Sequence, residues 1–151
     1  MSEGVLVVSY GARAATMVDL FERSEHDVDL YIVDKQRNPF NVERAEGHIV
    51  DSTLSVDNIV DFADKHKENI DFGIVGPEDP IIKGVRDEVE KKTSIPMICP
   101  TAEFAIEKSK VRQRRLMEEV APDMNPEFKV FDPEDFSSKS DVKEAVFDYL
   151  D

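Results

Sequence analysis

Cysteine is almost missing from the 151-residue chain: Cys99 stands alone, so no disulfide can close within the chain, and its redox setting reads as reducing. Positive charge is also scarce. Nineteen Lys and Arg face 33 Asp and Glu, for a net charge of −14. That balance argues against nucleic acid as the main partner, because binding along phosphates is driven by counterion release at Lys and Arg clusters. It argues equally against an anionic membrane surface. No apolar run approaches the roughly 18 residues a membrane helix needs. The opening Met1-Ser2-Glu3-Gly4 lacks the charged-then-apolar layout of a signal peptide. Internal repeats and low-complexity tracts are missing too. These absences point to a cytoplasmic protein, and the acidic excess suits a salty cytoplasm, where dense surface charge keeps proteins dispersed.

What is present is globular in kind, with 40% apolar and 34% charged residues. The length fits one domain by the rule of roughly 100–200 residues each. Short apolar runs alternate with helix-period segments. Val5-Leu6-Val7-Val8, Leu30-Tyr31-Ile32-Val33 and Phe72-Gly73-Ile74-Val75 read as buried strands. Ile49-Val50 reads as a short strand, and Ile95-Pro96-Met97-Ile98-Cys99 as another, with Pro96 tolerable only at its beginning or on an edge. Ala14 to Arg23 has a helical apolar face, as does the segment after Ser55, a residue suited to capping. Ile82, Val85 and Val89 mark one further helix. Thr101 is placed to cap another, which continues or restarts near Ser109 and runs to about Val120. Lys35 to Glu46, polar and interrupted by Pro39, reads as a loop.

Strands alternating with helices imply crossover units and a parallel sheet covered on both faces. The fold class is therefore α/β, a doubly wound parallel sheet of about five strands. The expected domain spans residues 1–121. Residues 122–151 read as an acidic linker, then a strand at Phe128-Lys129-Val130-Phe131 and a helix from Ser140 to Leu150. Nine acids and three lysines there leave a local charge of −6.

In open parallel sheets, ligands bind beyond the carboxyl ends of strands where strand order reverses. With the first strand central, the loop Ser9 to Arg13 should face the loop Gly76 to Pro80. Ser9, Gly11 and Ala14 form only a degenerate version of a dinucleotide glycine fingerprint. Gly11 permits a tight turn, the following helix offers free N–H groups, and Arg13 adds a planar donor for phosphate. A plain turn with a solvated arginine is the competing reading.

Gly76-Pro77-Glu78-Asp79-Pro80 sets two carboxylates between prolines. It is either an acidic site for an amine or sugar hydroxyls, or a helix start whose acids suit the dipole. Lys108, Lys110, Arg112, Arg114 and Arg115 cluster five cations in eight residues, either a solvated helix face or a phosphate-binding element. Cys99 has no histidine near it in sequence and reads as a buried, inert thiol. His26, His48 and His66 lack ligand spacing and read as surface or cap residues, so no metal site is expected. A phosphoacceptor signalling domain would need an acidic pair after the first strand, where Ser9 and Tyr10 stand instead.

Three segments carry a family resemblance. Val5-Leu6-Val7-Val8-Ser9-Tyr10-Gly11-Ala12-Arg13 is similar to the opening strand and Gly-Gly-Arg loop of the phosphoribosylamine-glycine ligases, also called glycinamide ribonucleotide synthetases. The run from Ile70 to Val85, with Gly76-Pro77-Glu78-Asp79-Pro80 at its centre, resembles that family's Gly-Pro-Glu-x-Pro segment. Pro100-Thr101 and Ser109-Lys110 resemble its Gly-Pro-Thr and Ser-Lys landmarks. The resemblance covers about residues 4–131.

It implies a Rossmann-like pre-ATP-grasp domain at the start of an ATP-dependent ligase of purine synthesis. The partners implied are phosphoribosylamine, glycine and ATP, with ATP and Mg²⁺ held mainly by a downstream domain. Gly11, Ala12 and Arg13, with Gly76, Pro77 and Glu78, would line the phosphoribosylamine side, and Lys110 would reach ATP phosphates. No catalytic residue is expected within the chain. Departures are several: Ser9 and Ala12 replace glycines, Ala14-Ala15 stand for Glu-His, Asp34 to Pro39 replaces a Pro-Gly-Asn-x-Gly loop, and Cys99 replaces a glycine. The Gly-rich loop, second lysine and Mg²⁺ carboxylates of the ATP-grasp fold find no counterpart here. The chain is therefore expected to be an N-terminal portion, inactive in ligation alone. The alternative is a free-standing module that binds a phosphosugar or nucleotide.

Overall fold

A computed structural model describes residues 2–150. Along the chain run β1 (Glu3–Val8), α1 (Gly11–Glu22), β2 (Val28–Asp34), α2 (Pro39–Glu43), β3 (Ala45–Val50) and α3 (Val56–Lys65). They are followed by β4 (Phe72–Val75), α4 (Glu78–Ile82), α5 (Val85–Thr93), β5 (Met97–Ile98), α6 (Lys110–Val120) and α7 (Lys139–Leu150). The chain divides into two compact units, one ending at Lys108 and one beginning at Ser109, so α6 groups with α7 and not with the sheet.

In the first unit the strands form one five-stranded sheet ordered β3-β2-β1-β4-β5, with every pairing parallel. β1 is central and the order reverses beside it, as in a doubly wound fold. Strand side chains alternate between two cores. Leu6, Val8, Tyr31 and Val33 pack with Ile59, Phe62 and Ala63 of α3 and with Val85 and Val89 of α5. Val5, Val7, Leu30 and Ile32 face the other way, against Val18 of α1, with Met17, Phe21 and Phe40 closing the edge. Burial on both sides explains why these strands read as unbroken apolar runs.

Three local differences from the sequence reading have physical causes. Residues 39–43 are a short helix within the expected loop, because Asn38 accepts the Phe40 N–H at 3.0 Å and Pro39 suits the first helical position. The helix expected from Ile82 to Val89 is two helices, divided at Gly84, whose φ of 84° lies in the left-handed region. Thr101 makes no side-chain cap and leads only into single 3₁₀ turns, the next full helix being capped by Ser109. Ser55 caps α3 as expected, accepting the Asn58 N–H. Pro96 stands just before β5, its carbonyl accepting the Gly73 N–H at 2.9 Å.

The turn from β3 into α3 is organised by Asp51. Its carboxylate accepts the N–H and hydroxyl of Thr53, the N–H and hydroxyl of Ser55, and the Asn58 amide, at 2.7–2.9 Å. Burial alone would push the Asp51 carboxyl upward, but these donors outweigh it and hold it well below the usual carboxylate range. The same turn drives the fully buried Leu54 into a left-handed φ of 48°.

In the second unit, α6 is tied by Asn125, whose amide donates to the Arg114 carbonyl at 3.0 Å. No strand forms at Phe128-Lys129-Val130-Phe131: no sheet edge pairs with it, and Phe131 instead stacks edge-on against Tyr149 of α7, centroids 5.9 Å apart. α7 occupies the stretch where a last helix is expected.

Candidate functional site

Parallel pairing of β1 with β4, in register from Val5 opposite Phe72 to Val8 opposite Val75, brings the loops after both strands side by side. The Gly76 N–H donates to the Val8 carbonyl at 2.9 Å, carrying the pairing one residue past the strands. Across this seam the Arg13 guanidinium donates to the Gly76 carbonyl. Gly76 is required by close approach: a β-carbon there would lie 2.5 Å from the Ser9 hydroxyl oxygen and 2.8 Å from Arg13 Cδ.

α1 starts directly beyond β1. Tyr10, in extended conformation, is its cap residue but gives no side-chain cap, and the first turn holds no acid. The leading N–H groups of Gly11, Ala12 and Arg13 are therefore free of side-chain acceptors at the positive end of a 12-residue helix. Ala12 is exposed and lines an open groove of about 330 Å³ with Ala15, Thr16, Asp19 and Phe40. The Ser9 hydroxyl is buried and has no hydrogen-bond partner among the described residues.

On the other side of the seam, Pro77 is buried and precedes α4. Glu78 and Asp79 occupy the first turn of that short helix and are exposed, while Pro80 is buried. That is the helix-start arrangement, and it leaves the Glu78 carboxylate in solvent beside the two loops. Gly11, Ala12, Arg13, Gly76, Pro77 and Glu78 thus share one neighbourhood at the carboxyl end of the central strands. Lys110 belongs to the other unit, where it is the exposed first residue of α6 after the Ser109 cap. Of its neighbouring cations, Arg114 is half-buried and bonded to the Asn125 side chain at 3.3 Å, not a free surface group.

The remaining candidates are structural. Cys99 is half-buried against the core, and burial pushes its thiol up to about 11, so it is no nucleophile near neutrality. His66 caps α3 at its C-terminus between the rings of Tyr31 and Phe62. His48 lies within β3, partly buried, with Nε2 buried and without a hydrogen-bond partner among the described residues. Burial lowers the pKa of both below the ordinary histidine value. Among the described residues no three His, Cys, Asp or Glu side chains gather to hold a metal ion, and no helix is long and apolar enough to cross a membrane.

Two features escaped the sequence reading. Asp34, wholly buried at the end of β2, accepts the Asn41 amide at 2.9 Å and the Gln36 N–H at 3.3 Å, anchoring the loop that follows. That loop carries Lys35, whose ammonium sits 4.1 Å above the Tyr10 ring centroid. A charged residue closing an apolar strand was the available signal for Asp34; nothing in the sequence pairs Lys35 with Tyr10.

Residues 3–107 match the family described as phosphoribosylglycinamide synthetase, N domain. The chain belongs to this family. The match ends one residue before the first compact unit does. The N-domain chain is also similar to proteins named phosphoribosylamine–glycine ligase. That of Methanocella arvoryzae is 35% identical over 132 residues, 87% of this chain and 30% of the relative. That of Methanopyrus kandleri is 36% identical over 133 residues, 87% of this chain and 29% of the relative. That of Thermococcus kodakarensis is 33% identical over 129 residues, 85% and 28%. The chain thus spans about three-tenths of the length of the curated relatives it matches. A five-stranded parallel sheet is the Rossmann-like domain that the resemblance implied.

Proposed function

We propose that this N-domain holds the phosphoribosylamine side of a phosphoribosylamine–glycine ligase, the enzyme that joins glycine to phosphoribosylamine in purine synthesis. The reading rests on the seam between the β1 and β4 loops, where the Arg13 guanidinium meets the Gly76 carbonyl beside the uncapped start of α1. A phosphate monoester there would receive the N–H groups of Gly11 to Arg13 and, on release from Gly76, the Arg13 guanidinium. Glu78, exposed at the entry to α4, would accept from an amine or a sugar hydroxyl. ATP would supply the phosphoryl group that activates the glycine carboxylate, and Lys110 is the residue of this chain offered to its phosphates. In this reading the chain's own residues bind and orient the phosphosugar.

Calorimetric titration with ribose 5-phosphate, the stable analogue of the substrate's phosphosugar, tests this. Saturable binding by the chain, weakened about tenfold or more in Arg13→Ala, is the expected result. Equal affinity for the two proteins, or no binding to the folded chain, would refute the assignment.

A further inference from the structure

Even in a chain so rich in acid, only some of the cations find carboxylates. Within the first unit Arg23, Arg44, Lys67, Arg86, Lys91 and Lys92 all do, at 2.5–3.7 Å. Arg13, Lys35, Arg37, Lys65, Lys83 and Lys108 make no such pair among the described residues, and of these Arg13 and Lys35 touch Gly76 and the Tyr10 ring at the carboxyl end of the sheet, beside the start of α1. Lys35 instead rests over the half-exposed Tyr10 ring, the residue that precedes the first helical N–H. Its loop is pinned from behind by the buried Asp34–Asn41 bond. A second observation points to a ligand here independently of charge: the Ser9 hydroxyl, fully buried, lacks a hydrogen-bond partner among the described residues and lies against Gly76 alongside the Arg13 side chain. Unpaired buried hydroxyls are costly and uncommon. Movement of Arg13 onto an anion would uncover this hydroxyl and give it an acceptor.

We propose that Lys35, positioned by the Tyr10 ring, is with Arg13 a specificity-determining cation for a phosphate monoester bound at the start of α1, with the Ser9 hydroxyl as an added donor. The inference rests on the phosphosugar reading above and adds to it residues that the family resemblance does not supply. A phosphate monoester suits the place better than a carboxylate. Its three terminal oxygens and charge of about −1.5 to −2 can engage helix N–H groups, guanidinium and ammonium at once. Tyr10 is a positioning residue: its ring holds the ammonium without neutralising it.

The test compares ribose 5-phosphate, inorganic phosphate and ribose as titrants of the wild-type chain and of Lys35→Gln, Lys35→Arg, Tyr10→Leu and Arg13→Ala, each first checked by thermal melting. Lys35→Gln should weaken ribose 5-phosphate and phosphate by about 3- to 10-fold and flatten the salt dependence of binding. Lys35→Arg should restore most of the affinity, and Tyr10→Leu should cost about twofold. Wild-type affinity in Lys35→Gln, with affinity lost in Arg13→Ala, would overturn the role of Lys35 while leaving the phosphosugar site intact. Equal losses in Lys35→Gln and Lys35→Arg would also overturn it, because charge would not be the cause. Ribose bound as tightly as ribose 5-phosphate would overturn the phosphate specificity. No binding of any titrant by the wild-type chain would overturn both readings together.

Discussion

Apolar residues occur throughout the chain, yet the two units use them differently. In the first, Val5 through Val8, Ile32, Val33, Ile59, Val85 and Val89 lie at or near zero exposure on the two faces of the sheet. In the second, none of the described residues is buried, and Leu116, Val120, Phe147 and Leu150 stand exposed on α6 and α7. The difference is one of geometry and not of composition. A parallel sheet presents two faces on which several helices can converge, whereas helices of 11 and 12 residues are marginal without a surface to pack on. The second unit is held by the Phe131–Tyr149 stack and by local bonds: the Ser109 cap, the Arg114–Asn125 pair and the Ser138–Asp141 contact. Each bond contributes on the order of 1 kcal/mol or less.

The comparison is broken most forcefully by truncating one apolar side chain in each unit. Leu6→Ala removes a fully buried side chain from the central strand and should cost about 2–5 kcal/mol in urea unfolding. Leu116→Ala, on the exposed face of α6, should stay within about 0.5 kcal/mol of wild type. A large loss from Leu116→Ala would show that α6 is packed after all. Hydrogen exchange sharpens the same contrast: amides of β1 and β2 should be protected to near the global unfolding free energy, and those of α7 should exchange through local opening. Uniform protection would contradict the division.

A smaller effect comes from pH. All three histidines lie in the first unit. Burial lowers the pKa of His48, partly offset by Asp34 and reinforced by Arg37, and burial with Lys65 lowers that of His66. A histidine whose folded pKa is depressed contributes stability that is complete above its unfolded value of 6.5 and is lost as pH falls through the folded value. The urea midpoint of the first unit should therefore hold steady above about pH 7 and decline below about pH 6.5. The Asp51 hub should fail only at much lower pH, below its unfolded value of 3.8. A midpoint that rises on acidification from neutrality would reverse the sign and the assignment.

Much of the fold was legible because burial on both sides leaves an unmistakable trace, as in Val5-Leu6-Val7-Val8 and Leu30-Tyr31-Ile32-Val33. What escaped depended on single residues acting in context. Asn38-Pro39 starts a helix that its polar neighbours disguise, and Gly84 turns one apparent helix into two by its φ alone. Phe128 to Phe131 has a strand's composition but no sheet edge to join. At the candidate site, the meeting of the Ser9 to Arg13 and Gly76 to Pro80 loops followed from placing β1 at the centre of the sheet. The Lys35–Tyr10 contact and the orphaned Ser9 hydroxyl did not, since loop paths and buried partners leave no periodic signature.

The central claim is that the loops after β1 and β4 form one phosphosugar site. Backbone amide shifts recorded by two-dimensional NMR during titration with ribose 5-phosphate test it most directly. The account predicts the largest saturable shifts at Gly11, Ala12, Arg13 and Gly76, with smaller ones at Lys35 and Glu78. Shifts confined to other parts of the sheet or to α6 and α7, or a folded spectrum that does not respond, would contradict it.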